Sequence, residues 1–259
     1  MGLVSYPQAV FLAIVQGLTE FLPVSSSGHL VIFQKMFGLK PPVLFDVLVH
    51  VGTLGALVFY LRRQLMTIFD GLKGRDKNSW HLLLMIVVGT IPAAIGGLLL
   101  ESHITQIFNS LRLVGLTLLV TAGLLFFSRQ LRSMNRRLKR MDWQDALFIG
   151  VFQALAILPG VSRSGSTIVA GLWRKLDREA AFQFSFLLAI PAILGALILQ
   201  TPALAFSSGD YLTLGLLGML VAGVVGYFAL GILERVLKSA KLFYFGIYCL
   251  ILGLLVLLV

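Results

Sequence analysis

Charge is scarce in this sequence: 12% of its 259 residues are charged, against 58% hydrophobic. A water-facing surface takes roughly 25% charged residues, so the composition excludes a soluble globular domain and points to a lipid bilayer. The mean hydropathy of +0.94 agrees. Cysteine is nearly missing. Cys249 stands alone inside an apolar run, which excludes an intrachain disulfide and leaves its sulfur to packing. The four histidines are scattered, without the Cys/His spacing of a metal site. No Lys or Arg precedes Lys35, so no basic n-region of a cleaved signal peptide is expected. Acidic residues are outnumbered 21 to 11 by basic ones. That excess is no nucleic-acid footprint, because the basic residues form short clusters between uncharged runs, the pattern of membrane topology.

What is present is a series of apolar runs. About 20 residues cross the hydrocarbon as a helix, and six segments fit: 43–61, 80–100, 113–127, 180–200, 211–233 and 242–259. The third is short, and Arg112 and Arg129 at its ends can snorkel to the headgroups. Two other apolar regions, 7–22 with 30–37 and 144–158 with 167–173, are interrupted. The breaks are Pro23-Val24-Ser25-Ser26-Ser27-Gly28 and Pro159-Gly160-Val161-Ser162-Arg163-Ser164-Gly165, clusters that turn the backbone and expose polar groups. Both regions read as re-entrant helical hairpins.

The two clusters resemble each other. Gln16 matches Gln153, Ser25 matches Ser162, Ser27 matches Ser164 and Gly28 matches Gly165, all at an offset of 137. Leu54-Gly55-Ala56-Leu57 recurs as Leu194-Gly195-Ala196-Leu197 at an offset of 140. Small residues recur in membrane helices, so chance similarity competes with duplication. The pattern favours an internal repeat, 1–128 and 144–259, within one membrane domain spanning 1–259. Each half has a hairpin that returns to its own side and three crossings, so the second half is inverted. The expected fold is an all-α integral membrane protein of six transmembrane helices and two re-entrant hairpins in an inverted-topology repeat. One side of that arrangement receives Lys35, Lys40 and Arg112, and the other receives 17 basic residues, Arg163 in the second tip left aside. The positive-inside rule then places both termini and the first hairpin's entry on the outer side.

Ionisable groups inside a membrane are costly and mostly functional. Those in or beside the hairpins are Glu20, His29 and Arg163, and Asp46 and His50 lie near the start of the first span. Folding the repeats together would gather acid, serine, imidazole and guanidinium. A guanidinium with backbone N–H groups at half-helix starts suits a phosphate. Ser26, Ser27 and Gly28 are expected before one half-helix and Ser164, Gly165 and Ser166 before the other, and two such ends suggest a diphosphate. A hydroxyl with a carboxylate and a histidine supplies positioning, proton transfer and charge neutralisation for phosphoryl transfer.

The stretch from Gln16 through Glu20 and Pro23 to His29, and that from Pro159 to Gly165, resemble the two signatures of the bacterial undecaprenyl-diphosphate phosphatase family, also called bacitracin-resistance proteins. The likeness covers the whole chain, including the Phe45-Asp46 to His50-Val51-Gly52 stretch. It implies a bacterial cytoplasmic-membrane enzyme that removes the terminal phosphate of the C55 isoprenyl diphosphate, regenerating the monophosphate carrier for cell-wall synthesis; the charge asymmetry puts the site's opening on the outer side. The family's catalytic acid falls on Glu20, its essential serine on Ser26, its histidine on His29 and its arginine on Arg163. The family allows Glu or Gln where this chain has Gln16, which weakens a carboxylate pair and a metal site made by protein alone. Mg²⁺ or Ca²⁺, described for the family, would arrive with the diphosphate. The implied partners are the isoprenyl diphosphate and membrane lipid, with no nucleic acid.

Plainer roles compete at several positions. Ser25, Ser27, Ser162 and Ser164 fit turn or cap hydroxyls as well as phosphate ligands. Gly17, Gly28 and Gly165 fit close helix packing. Asp46 and His50 share a helix face and either pair with each other or touch the site. Ser26 and His29 can exchange the nucleophile's role. Opposed re-entrant hairpins are also transporter architecture, so a lipid-carrier flippase or an anion transporter is the alternative, distinguished by its lack of need for a nucleophile with an acid and a base.

Overall fold

The computed structural model describes residues 5–39, 43–131, 135–204 and 210–258. Lys40 and Arg132, counted in the charge asymmetry, and the ends of the chain lie outside them. The described residues form α-helices, short 3₁₀ turns and no strand. In chain order the helices are α1 (Tyr6–Phe21), α2 (Ser26–Met36), α3 (Val43–Tyr60), α4 (Arg62–Lys73), α5 (Lys77–Leu100), α6 (Ile104–Phe108), α7 (Leu111–Phe127), α8 (Trp143–Leu155), α9 (Arg163–Trp173), α10 (Arg178–Leu204), α11 (Asp210–Lys238) and α12 (Phe243–Leu257).

Long apolar helices turn much of their surface outward. On α5, Leu84, Val87, Ile91, Ile95 and Leu98 form an exposed stripe at helical spacing, and Leu212, Leu216, Leu220, Val224 and Phe228 do so on α11. Such stripes would aggregate in water, whereas lipid covers them without cost. Four stretches are long and apolar enough to cross a membrane: Lys77–His103, Leu111–Gln130, Arg178–Leu199 and Leu212–Lys238. A fifth arises if α3 and α4, bent by 69° to each other, count together, and α12 is a shorter apolar helix. The chain is a multi-pass membrane protein.

One element differs from the sequence reading. The charged segment that follows Arg62, between the spans 43–61 and 80–100 and expected as a loop on the basic side, is the helix α4, none of whose residues is buried. Leu65, Met66, Ile68, Phe69 and Leu72 fall on one side of it, so it is amphipathic. Counting charges alone missed that periodicity.

The packing crosses the two halves. α1 rests on α11 and α8 rests on α5, while α3 packs against α10 and α11, and α7 against α12. Glycine permits the closest approaches. A Cβ on Gly52 would lie 2.1 Å from the Met219 carbonyl oxygen, and one on Gly150 would lie 2.3 Å from that of Gly89. Close backbone contact is how helices gain van der Waals energy in lipid, where no hydrophobic force draws them together.

The second hairpin is strapped at its base. The buried Asp145 of α8 pairs with Arg136 at 2.6 Å and with Arg174, just after α9, at 2.6 Å. Asp142 caps α8 by accepting the Asp145 N–H at 2.9 Å while its own N–H donates to the Asp145 carboxylate at 3.0 Å. The Asp145 N–H, helped by Arg136, holds the Asp142 carboxyl below the usual carboxylate range.

Candidate active site

The first hairpin breaks where proline forces it. Leu22, before Pro23, takes ψ 144°, as the steric demand of the following ring requires. The chain then turns through Ser25, held at φ +71°, whose hydroxyl accepts the Gly28 N–H at 3.3 Å as the cap of α2. In the second hairpin Gly160 takes φ +99°, and Ser162 caps α9 by accepting the Gly165 N–H at 3.1 Å. Ser26, Ser27 and Gly28 therefore form the first turn of α2, and Arg163, Ser164, Gly165 and Ser166 the first turn of α9. This corrects the expectation that these serines and glycines precede the half-helices. A capping serine one position before each group lets the helix begin sooner.

The two tips meet. The Gly160 N–H donates to Ser25 Oγ at 3.0 Å. A Cβ on Gly28 would lie 3.1 Å from Gly160 Cα, and one on Gly165 would lie 3.2 Å from Pro23 Cβ. α7 holds the second tip from behind: Thr117 donates to the Pro159 carbonyl, and Thr121 donates to the Gly160 carbonyl at 2.8 Å while accepting the Ser162 N–H at 3.0 Å.

Glu20, near the end of α1, sits at the junction. Its Oε2 accepts the Ser26 hydroxyl at 2.6 Å and the Gln16 side-chain amide at 3.1 Å, and its Oε1 accepts Arg163 Nη2 at 2.7 Å. The ion pair is buried, with the two side chains 7% and 14% exposed. Arg163 Nη1 is buried without a partner among the described residues. A guanidinium with a free donor, beside the N–H groups of two helix starts, is suited to a phosphate oxygen.

The remaining site residues of the sequence reading divide. Ser25, Ser27 and Gly28 lie at one helix start, and Ser162, Ser164 and Gly165 at the other, with a 3.3 Å hydroxyl contact within each serine pair. His29 is buried, but its partners are the Ser25 carbonyl, 2.7 Å from Nδ1, and the Tyr248 hydroxyl, 2.6 Å from Nε2. Asp46 and His50 form no side-chain pair: His50 Nδ1 lies 2.7 Å from the Asp46 carbonyl oxygen, and the Asp46 carboxylate faces the Gln34 amide at 3.4 Å. Among the described residues no three of His, Cys, Asp and Glu are grouped to hold a metal ion. Thr117, Thr121 and Tyr248 are the contributors that sequence reasoning passed over. The two threonines, four apart in an apolar helix, were the available signal.

Comparison with known proteins identifies the family. The family described as "Bacitracin resistance protein BacA" matches residues 9–255. The chain is 46% identical to an "Undecaprenyl-diphosphatase" of Desulfosudis oleivorans, with 95% of each chain covered. It is 42% identical to proteins of that name from Thermosipho melanesiensis, covering 95% of this chain and 96% of that one, and from Halothermothrix orenii, covering 96% of each. With the match running over residues 9–255, the chain belongs to the bacitracin resistance protein BacA family.

Proposed function

We propose that the chain is an undecaprenyl-diphosphatase, a membrane hydrolase that removes the terminal phosphate of undecaprenyl diphosphate and returns the monophosphate carrier to cell-wall synthesis, conferring bacitracin resistance. The name shared by its relatives carries the substrate. The observation that carries the chemistry is Glu20, bonded on one oxygen to Ser26 and on the other to Arg163. A transporter would need an anion site but not a hydroxyl held on a carboxylate.

Ser26 Oγ attacks the terminal phosphorus, the bond to the bridging oxygen breaks, and the isoprenyl monophosphate leaves. The hydroxyl proton passes to Glu20. Protonation of Glu20 removes the negative charge facing Arg163, freeing the guanidinium for the equatorial phosphoryl oxygens. The α2 and α9 N–H groups, with Ser25, Ser27, Gly28, Ser162, Ser164 and Gly165, hold the two phosphates. Water then hydrolyses the phosphoserine with His29 as base, and Glu20 returns its proton to Ser26. Gln16 orients Glu20. The single carboxylate at the junction is a poor donor set for a protein-only metal site, so Mg²⁺ or Ca²⁺, where used, enters bound to the diphosphate.

The architecture we infer is the inverted repeat 1–128 and 144–259, with six crossings and two hairpins entering from opposite sides of the bacterial cytoplasmic membrane. The exchange of packing partners, α1 on α11 and α8 on α5, supports it. The charge asymmetry supports an outer-facing site and outer termini. The test is phosphate release from a long-chain isoprenyl diphosphate by purified protein in detergent. Hydrolysis lost in Glu20→Ala is expected, and undiminished hydrolysis in that variant would overturn the assignment.

A further inference from the structure

His29 meets two neutral groups and no carboxylate among the described residues. The Ser25 carbonyl, 2.7 Å from Nδ1, can only accept, so Nδ1 carries a proton. Nε2 then has the ring's lone pair and lies 2.6 Å from the phenol oxygen of Tyr248 on α12, with the two ring planes 7° apart. Neither partner is an anion that would favour an imidazolium. The Ser25 carbonyl is itself fixed, because the Ser25 hydroxyl ties the first tip to the Gly28 and Gly160 N–H groups. His29 is 3% exposed, whereas Tyr248 is 46% exposed, so the phenol can move while the imidazole cannot.

We propose that Tyr248 is a positioning residue for hydrolysis: its hydroxyl donates to Nε2, holds His29 as the neutral Nδ1–H tautomer, and keeps the ring aimed for the second half of the reaction. Serine and histidine are thereby separated at rest. Ser26 is committed to Glu20, and the lone pair of His29 is occupied by the phenol. After phosphoserine forms, the Tyr248 hydroxyl yields Nε2 to water. The water oxygen bonds to phosphorus as the Ser26 Oγ–P bond breaks, the water's proton goes to Nε2, and Glu20 returns its proton to Oγ. This part rests on the assignment of Ser26 and Glu20 made above, whereas the tautomer does not.

The test is Tyr248→Phe, which keeps the ring and removes the donor. Two measurements are made on purified protein in detergent: the ¹⁵N shifts of the His29 side chain without substrate, and kcat and KM for a long-chain isoprenyl diphosphate. Wild-type His29 is expected to show a neutral ring protonated at Nδ1, with its Nε2 signal moving in Tyr248→Phe. Turnover is expected to fall about 10-fold, the worth of one hydrogen bond, with KM unchanged. In a His29→Gln background Tyr248→Phe should cost nothing further. Unmoved His29 shifts, or an equal loss of turnover in the His29→Gln background, would overturn the proposal. Failure of the wild type to release phosphate would instead count against the proposed function, and the ¹⁵N shifts would still judge the tautomer.

Discussion

The two hairpins share a turn but not a task. At the offset that aligns their serines, Glu20, Ser26 and His29 of the first correspond to Ile157, Arg163 and Ser166 of the second. In the proposed mechanism the first hairpin supplies the groups that move protons. The second supplies the fixed cation, and more of its polar atoms serve to hold it: Asp145 clamps its base between two arginines, and Thr117 and Thr121 hold its tip. A buried guanidinium aligns a phosphate only if its backbone does not shift, whereas the carboxylate and hydroxyl are kept in register by bonding each other. On the proposed mechanism the two tips divide into a reactive half and a rigid half.

The largest effect should come from the reactive half. Glu20→Gln removes the acceptor for the Ser26 proton, and phosphate release should fall by ~10²–10⁴-fold, the range of lost general acid–base catalysis. Arg163→Lys, in the rigid half, should cost ~10²–10³-fold in kcat, because a point charge does not reproduce the planar fork. Near-wild-type turnover in either variant would remove that hairpin's assigned task. Asp145→Ala separates stability from chemistry. It leaves Arg136 and Arg174 without their buried partner and should destabilise by about 3–5 kcal/mol, read as a lower unfolding midpoint in detergent. Thr121→Val strands the Gly160 carbonyl and Ser162 N–H, a smaller loss of about 1–3 kcal/mol by the same assay. The smallest effect is acid weakening at Asp142. Its carboxyl is held low in the folded chain, so its stabilisation is complete above the unfolded value of about 3.9 and fades as pH falls below it. Asp142→Asn should flatten that part of the midpoint's pH dependence.

Much of this was legible before any fold was seen. Pro23 and Pro159 with their serines and glycines marked both breaks, and the offset repeat pointed to Glu20 and Arg163 meeting, though 143 residues separate them. The two helix breaks survived translation into structure because proline and capping serine act locally. What stayed hidden depends on partners distant in sequence. Tyr248 is one hydroxyl in an apolar helix, and nothing near it names His29. Asp145 reads as a helix-start acid until Arg136 and Arg174 close around it. Asp46 and His50, at i and i+4, left pairing and contact with the site both open, and His50 turns its ring to the Asp46 backbone carbonyl. The helix α4 was obscured because Arg62, Arg63 and Lys73 read as a topological charge cluster rather than as the polar face of a helix.

The central claim is that carboxylate and guanidinium from different hairpins act as one unit, and a double-mutant cycle on kcat/KM tests it most directly. With Glu20→Gln, Arg163→Lys and the combined variant, the account predicts that the double variant is about as slow as the worse single one, since each change already breaks the shared arrangement. Losses that multiply as if the two residues were strangers would contradict it.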